Sequence, residues 1–399
     1  MIPVMLHFLA FLLLSSLLAA MPSCGPPTPA ASGIDPRDEE EDSALLEALE
    51  RRVDRSIARA RESAVALEYV AADAPSGARR VATGVVLNDR GEVLSVRIDP
   101  PPAEAPIVAR DASGRRHRAR WVAADAETGL TLLRVDPKVA EPVRPASRSP
   151  RLGSQVLIVG NPYGLGHSVS RGQVAGLDRR LEIGPRPLGG LIQIDAALHP
   201  GDSGASVTNL RGEWLGLVRG GLNTPEGGRP TDHDLGFVIP ARDALWVADQ
   251  LRDRHRVDRA YLGVRLDAIG KGKDNPPGAV LDTVVPDTPA ARAGLRPGDR
   301  VVALDGHAIH LPGDLTDRLD RIPAEAEVTL DYFRGTSREH LALRTGSRPP
   351  ISPAPSNPAP KGDDARSALA LSREAVERLD RLEHRVQELE KQVRAAPKP

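Results

Sequence analysis

Between residues 63 and 240 the chain is a succession of short apolar runs, each stopped within a few residues by Gly, Pro, Asp or Asn. Val65–Val70, Val81–Leu87, Glu92–Val96, Trp121–Ala123, Leu130–Val135, Gln155–Val159, Leu191–Ile194 and Trp214–Val218 are such runs. Asn88-Asp89-Arg90-Gly91 joins the second run to the third, a tight-turn signal between two strands. Many short strands with little helix admit only a sandwich or a pair of barrels. Aromatic residues are 3% of the chain, so its cores must be built from Val, Leu, Ala and Ile. A helix is expected over Ala241–Leu251, closing a domain of residues 61–256.

A second β-rich stretch, residues 257–346, carries runs at Tyr261–Leu266, Ala279–Val285, Arg300–Leu304 and Glu327–Tyr332, with a helix at Leu315–Arg321. Residues 347–366 read as a Pro-rich linker. Over residues 367–395, Leu379, Leu382, Val386, Leu389 and Val393 repeat at a 3-4 spacing, which fits a coiled-coil helix or a lone amphipathic helix. Residues 25–60 read as a tether followed by a helix with Leu45, Leu46, Leu49, Val53 and Ile57 at helical spacing. Residues 1–24 carry an apolar run from Leu6 to Ala20 and end on the single cysteine, Cys24. Three readings stand for that segment: a cleaved secretory signal, a lipoprotein signal with Cys24 acylated, or an uncleaved membrane anchor. Each places the mature protein outside the cytoplasm. One cysteine excludes an internal disulfide, and the ten histidines form no HExxH pattern. No metal or cofactor is expected. A net charge of −1, with both signs interspersed, gives no argument for a nucleic-acid partner.

The stretch with chemical content is His199-Pro200-Gly201-Asp202-Ser203-Gly204-Ala205. A Gly-x-Ser-Gly turn can expose a hydroxyl at a tight bend and aim backbone N–H groups at a developing oxyanion. Gly160-Asn161-Pro162-Tyr163-Gly164-Leu165 precedes it, Ile192-Gln193-Ile194-Asp195-Ala196-Ala197-Leu198 leads into it, and Leu235-Gly236-Phe237-Val238-Ile239-Pro240 follows. In this order and spacing the residues from about 61 to 345 resemble the HtrA/Deg family of trypsin-like serine proteases. The resemblance implies a double β-barrel, Ser203 as the nucleophile, and Gly201, Asp202 and Ser203 as the source of the oxyanion hole. Tyr261-Leu262-Gly263-Val264, with Val285-Pro286-Asp287-Thr288-Pro289 and the run to Gly306, resembles a PDZ domain. That likeness implies that Tyr261, Leu262, Gly263 and Val264 present N–H groups to a peptide's C-terminal carboxylate, unless the domain serves as a packing spacer.

A serine hydroxyl needs a base to take its proton and a carboxylate to hold that base. The family's histidine position falls on Ile98 in Gly91-Glu92-Val93-Leu94-Ser95-Val96-Arg97-Ile98. Its aspartate position falls on Gly129 in Asp125-Ala126-Glu127-Thr128-Gly129-Leu130. Asp125 matches a different family position, and Ala205-Ser206 stands where the family has Gly-Pro. The expectation is a catalytically dead member, with an active endopeptidase using a relocated base (His199 or His167) as the alternative. His117 reads as a surface residue of a charged hairpin. Expected partners are unfolded polypeptides or protein C-termini. The chain is expected either as a homo-oligomer, a trimer by family habit, or in a hetero-assembly with active family members. The expected location is the periplasm or cell envelope.

Overall fold

A computed structural model describes residues 36–70, 79–101, 106–136, 139–182, 186–221, 235–267 and 276–349. The segments expected to hold the signal with Cys24, the start of the tether, and the coiled coil lie outside the described residues. Among the described residues no helix is long and apolar enough to cross a membrane. The chain divides into two compact units, Met1–Val257 and Asp258–Pro399.

The first unit opens with α1 (Pro36–Glu62), whose last turn carries Arg59 and Arg61 against the negative end of the helix dipole. The helical spacing read from the sequence is there, but the face it generates is used only at the C-terminal end. Leu45, Leu46 and Leu49 are exposed, whereas Ser56 and Ala60 are buried. The Ser56 hydroxyl donates to the Leu210 carbonyl at 2.8 Å and ties the helix to the body of the unit.

Two closed six-stranded barrels follow. The first contains β1 (Ala64–Val70), β2 (Arg79–Asn88), β3 (Glu92–Val96), β4 (Ile107–Arg110), β5 (Arg116–Ala124) and β6 (Leu130–Arg134), in the order β1-β2-β3-β6-β5-β4. The second contains β7 (Gln155–Gly160), β8 (Ser168–Leu181), β9 (Leu188–Asp195), β10 (Ser206–Asn209), β11 (Trp214–Gly221) and β12 (Leu235–Pro240), in the order β10-β11-β12-β9-β8-β7. Closure pairs every strand on both sides and removes the exposed edge that an open sheet would present. Val65, Leu67, Val93 and Leu133 fill one barrel, and Val156, Ile158, Ile194 and Val218 the other. A shared cluster that includes Val85, Leu94, Leu130, Trp214 and Phe237 packs the barrels together and takes in Val247 and Leu251 of α2 (Ala241–Arg254). The fully buried Glu92 is neutralised in that region by Arg134 at 3.0 Å and Arg252 at 2.7 Å.

The second unit is a five-strand path β14-β15-β16-β18-β19 of β14 (Val264–Leu266), β15 (Ala279–Val284), β16 (Arg300–Leu304), β18 (Glu327–Arg334) and β19 (Ser337–Arg344). β17 (His307–Ala308) lies beside β16, and β13 (Ala260–Tyr261) pairs with β20 (Gly346–Ser347). Two short helices, α3 (Pro289–Arg292) and α4 (Pro312–Leu319), complete it. The run Tyr261–Leu266 is therefore two strands and not one, broken at Leu262-Gly263. Ser347, read from sequence as the start of the linker, is still paired with Ala260.

Candidate functional site

Ser203 sits half-buried on the loop between β9 and β10, and the loop's conformation follows from its two neighbours. The Asp202 N–H donates to the His199 carbonyl at 2.9 Å, closing a four-residue turn with Pro200 second and Gly201 third. Gly201 has a φ of +107°, so the turn takes the type II pattern of Pro followed by Gly. A Cβ on Gly201 would stand 2.1 Å from the Asn161 carbonyl oxygen, so only glycine fits. The Pro200 carbonyl accepts the Tyr163 N–H at 2.7 Å. Because that peptide is trans, the Gly201 N–H points the opposite way, off the Asn161 loop. Among the described residues neither the Gly201 nor the Ser203 N–H has an acceptor. The sequence named the Asp202 N–H with these two, but the structure assigns it to His199 instead.

The first barrel holds this turn from the other side. Thr83 of β2 donates its N–H to the Ser203 carbonyl at 2.9 Å and its hydroxyl to the Gly201 carbonyl at 2.9 Å. Ser95 of β3 donates to the Thr83 carbonyl at 2.6 Å. From the second barrel, Val218 accepts the Gly204 N–H at 2.8 Å and donates to Ala205 at 2.9 Å. The Asp202 carboxylate is buried and accepts the His199 N–H at 2.8 Å. Burial raises its pKa, against the lowering effect of that N–H and of the His199 charge.

The positions expected for the base and the acid are also built from named contacts. Ile98 is 1% exposed and belongs to the first barrel's core. Its backbone is fixed by the Thr131 hydroxyl, at 3.3 Å from its N–H and 3.2 Å from its carbonyl, and by the Trp121 indole N–H at 3.0 Å. The Arg97 N–H donates to the Gly129 carbonyl at 2.7 Å, which brings the two segments side by side. A Cβ on Gly129 would meet an Arg219 guanidinium nitrogen and the Arg97 Cγ, each at 3.2 Å. Arg219 is 7% exposed, and its Nε has no hydrogen-bond partner. Burial, with the Arg97 charge added, pulls its guanidinium down to about 10. The sequence reading missed Arg219. The apolar run it recognised in this strand ended at Val218, and a lone arginine on the next position was the only signal available.

The candidate substitute bases are engaged elsewhere. His167 Nε2 lies 2.9 Å from the Ala64 carbonyl, and burial holds the ring's pKa below its ordinary value. His199 is exposed, with its ring 5.6 Å from that of Tyr163. His117 is not a free surface residue. It is half-buried and lies 3.0 Å from Asp111, in the hairpin of β4 and β5. Asp125 accepts the Thr128 N–H at 3.1 Å and its hydroxyl at 2.6 Å, and so closes the turn between β5 and β6. Among the described residues no group of His, Cys, Asp and Glu could hold a metal ion.

In the second unit, Leu262 and Gly263 form the bend between β13 and β14. Gly263 has a φ of +83°, and a Cβ there would stand 2.2 Å from the Thr288 Cβ. The Leu262 and Gly263 carbonyls accept from Ala290 at 2.9 Å and Val285 at 2.8 Å, while their own N–H groups have no acceptor among the described residues. Tyr261 and Val264 flank the bend, both partly exposed. β14 is the edge strand of its path, next to β15 alone.

Residues 82–217 match the family described as trypsin-like peptidase domain, and residues 260–345 match the PDZ domain. The chain belongs to the HtrA/Deg family. A relative from Halomonas elongata named "Probable periplasmic serine endoprotease DegP-like" is 31% identical over 302 residues, covering 74% of this chain and 62% of the relative. A protein of the same name from Pseudomonas putida is 31% identical over 279 residues, 68% of this chain and 57% of that one. The chain thus spans about three fifths of the length of the curated HtrA/Deg relatives it matches. Among solved structures, the HtrA-type protease AlgW with a tripeptide superposes with a TM-score of 0.62 at 26% identity, over 75% of this chain and 98% of that one. The serine endoprotease from Yersinia pestis gives 0.55 at 25% identity, over 74% and 98%.

Proposed function

We propose that this chain is an HtrA/Deg-type protein of the periplasm or cell envelope that binds polypeptides without hydrolysing them. The observation that carries the reading is the occupation of the acid position. Where the family resemblance calls for a carboxylate, Gly129 faces the Arg219 guanidinium, and a cation there repels the protonated base that acyl transfer needs. Ile98, at the base position, is buried among apolar side chains and has no proton to move. With base and acid both gone, turnover falls by roughly four to six orders of magnitude, leaving only what the oxyanion donors and substrate binding supply. The free Leu262 and Gly263 N–H groups beside an edge strand support capture of a C-terminal carboxylate in the second unit, with the peptide added as a further strand. Such a protein serves quality control as a scaffold, as a homo-oligomer or beside active relatives, which it would regulate.

One observation favours the alternative of an active endopeptidase. The Ser203 turn has two N–H groups without an acceptor among the described residues, the kind of donor an oxyanion needs. Labelling of the full chain with a fluorophosphonate probe, beside Ser203→Ala and a casein degradation assay, separates the two readings. The expected result is no labelling above the Ser203→Ala background and intact casein. Stoichiometric labelling lost in the variant, together with casein cleavage, would overturn the proposal and direct attention to His199.

A further inference from the structure

Two arginines converge on Gly129, and among the described residues no carboxylate is paired with either. Two other buried charges in the same unit are neutralised within the chain: Glu92 by Arg134 and Arg252, and Asp111 by Arg115 and His117. Arg219 is buried as well, yet its Nε has no hydrogen-bond partner, and the charge that acts on it among the described residues is that of a second arginine. Burying a cation beside a like charge is strongly unfavourable unless an anion joins it. Arg97 is exposed, so the pair is open to solvent on that side. Its φ of +57°, uncommon outside glycine, is held by its N–H bond to Gly129 and by the Tyr69 hydroxyl on its carbonyl at 3.4 Å. The backbone thus keeps Arg97 against Gly129 at the expense of local strain. Next to Arg219, Val218 exchanges hydrogen bonds with Gly204 and Ala205, so the pair borders the Ser203 turn.

We infer that Arg97 and Arg219, converging on Gly129, form a carboxylate-binding site at the junction of the two barrels. The site takes a carboxylate from outside the chain, either a small free acid or an Asp or Glu side chain of a polypeptide in the cleft. A guanidinium presents paired N–H groups that suit a planar carboxylate, and Arg97 supplies the second charge from the solvent side. The inference rests on the absence of a catalytic carboxylate at Gly129, part of the function proposed above, but its test reads anion binding and not Ser203 reactivity. A Ser203 that labels would therefore end the functional reading and leave this one standing.

The probe is sodium acetate, titrated into the full chain at ionic strength held constant with chloride and followed by thermal unfolding. Wild type is expected to gain stability saturably. Arg219→Gln is expected to raise the acetate concentration for half-saturation by about tenfold or more. Gly129→Asp, which supplies the carboxylate from within the chain, is expected to abolish the response. Gly129→Asn, with the same backbone demand and no charge, is expected to keep it. A second arm compares two fluorescein-labelled decapeptides that differ only by Glu or Gln at a central position. Tighter binding of the Glu peptide, lost in Arg219→Gln, assigns the carboxylate to a polypeptide. Equal binding alongside a retained acetate response assigns it to a free acid. An acetate response equal in wild type and Arg219→Gln, or absent from wild type, overturns the site, whether or not the Gly129 variants fold.

Discussion

Ser203 and Arg219 are neighbours in space with opposite implications. The turn around Ser203 has a pair of N–H groups without acceptors among the described residues, a glycine that alone fits its place, and clamps from both barrels, a backbone suited to acyl transfer. The tight bend around Ser203 was legible in the sequence, because a Gly-x-Ser-Gly turn has a fixed residue requirement, whereas the Thr83 clamp and the use of the Asp202 N–H by His199 were not. The proposed vacancy at the base position rests on the sequence as well, since no histidine stands near residue 98. The surroundings of Gly129 were not legible, because Arg97, Gly129 and Arg219 are far apart in sequence and meet only through the junction of the barrels. The same contact sets an expectation for rebuilding the site. Ile98→His with Gly129→Asp restores the two side chains the family uses. With Arg219 in place, however, the new Asp pairs with the guanidinium 3.2 Å from its Cβ and not with the imidazole. The double variant is expected to stay unreactive toward a fluorophosphonate and to be less stable by about 2 kcal/mol, because a polar ring enters an apolar core. Adding Arg219→Ala frees the Asp and is expected to raise labelling well above the double variant. Equal labelling of the double and triple variants would show that Arg219 is not the obstacle.

Two strands that bury both faces announced themselves, and two largely exposed ones were missed. β3 (Glu92–Val96) and β7 (Gln155–Gly160) are almost wholly buried and stand out as apolar runs. β8, Ser168–Leu181, is the longest strand among the described residues and went unread, since half of its residues are exposed and half are Arg, Ser or Gly. Its hydrogen bonds to β7 and β9 hold it extended where local propensity would not. β19 escaped for the same reason, with the first four residues of Ser337–Arg344 exposed. The break between β13 and β14 was hidden differently. Its sequence signal is one glycine in an otherwise strand-like run, and only the Thr288 side chain opposite Gly263 shows why the chain must bend there. That bend yields a prediction at its own scale. If its free N–H groups receive a terminal carboxylate, a pool of random decapeptides with free C-termini is expected to be retained on the immobilised protein. The same pool with amidated C-termini should pass through. Equal retention of both pools would remove the carboxylate from the recognition and leave the second unit as a spacer.

At the scale of the molecule, the chain holds separate cores. One set of clusters serves the barrels and α2, and another, with Leu281, Leu304, Leu315 and Leu330, serves the second unit alone. Separate cores imply separate cooperative transitions, and Asp299 offers a handle on one of them. Its carboxylate is buried, which by itself would raise its pKa. The Arg334 guanidinium at 2.8 and 2.9 Å and the Arg296 N–H at 2.8 Å outweigh that and hold it below its ordinary value of 3.8. A carboxylate whose folded pKa lies below its unfolded one binds protons more weakly when folded. Its stabilisation is therefore full above the unfolded value and is lost as pH falls through the folded one. The second unit is accordingly expected to weaken as pH drops below about 4, the range set by an ordinary carboxylate. Asp299→Asn is expected to remove about 1 kcal/mol of that unit's stability at neutral pH, the lower end for a charged hydrogen bond because Arg334 is partly exposed and screened. It should also flatten the acid dependence of the same transition. Urea unfolding of the full chain between pH 3 and 7, followed by hydrogen exchange so that each unit is read separately, checks this. A variant that shifted the barrel transition equally would mean that the two cores unfold as one.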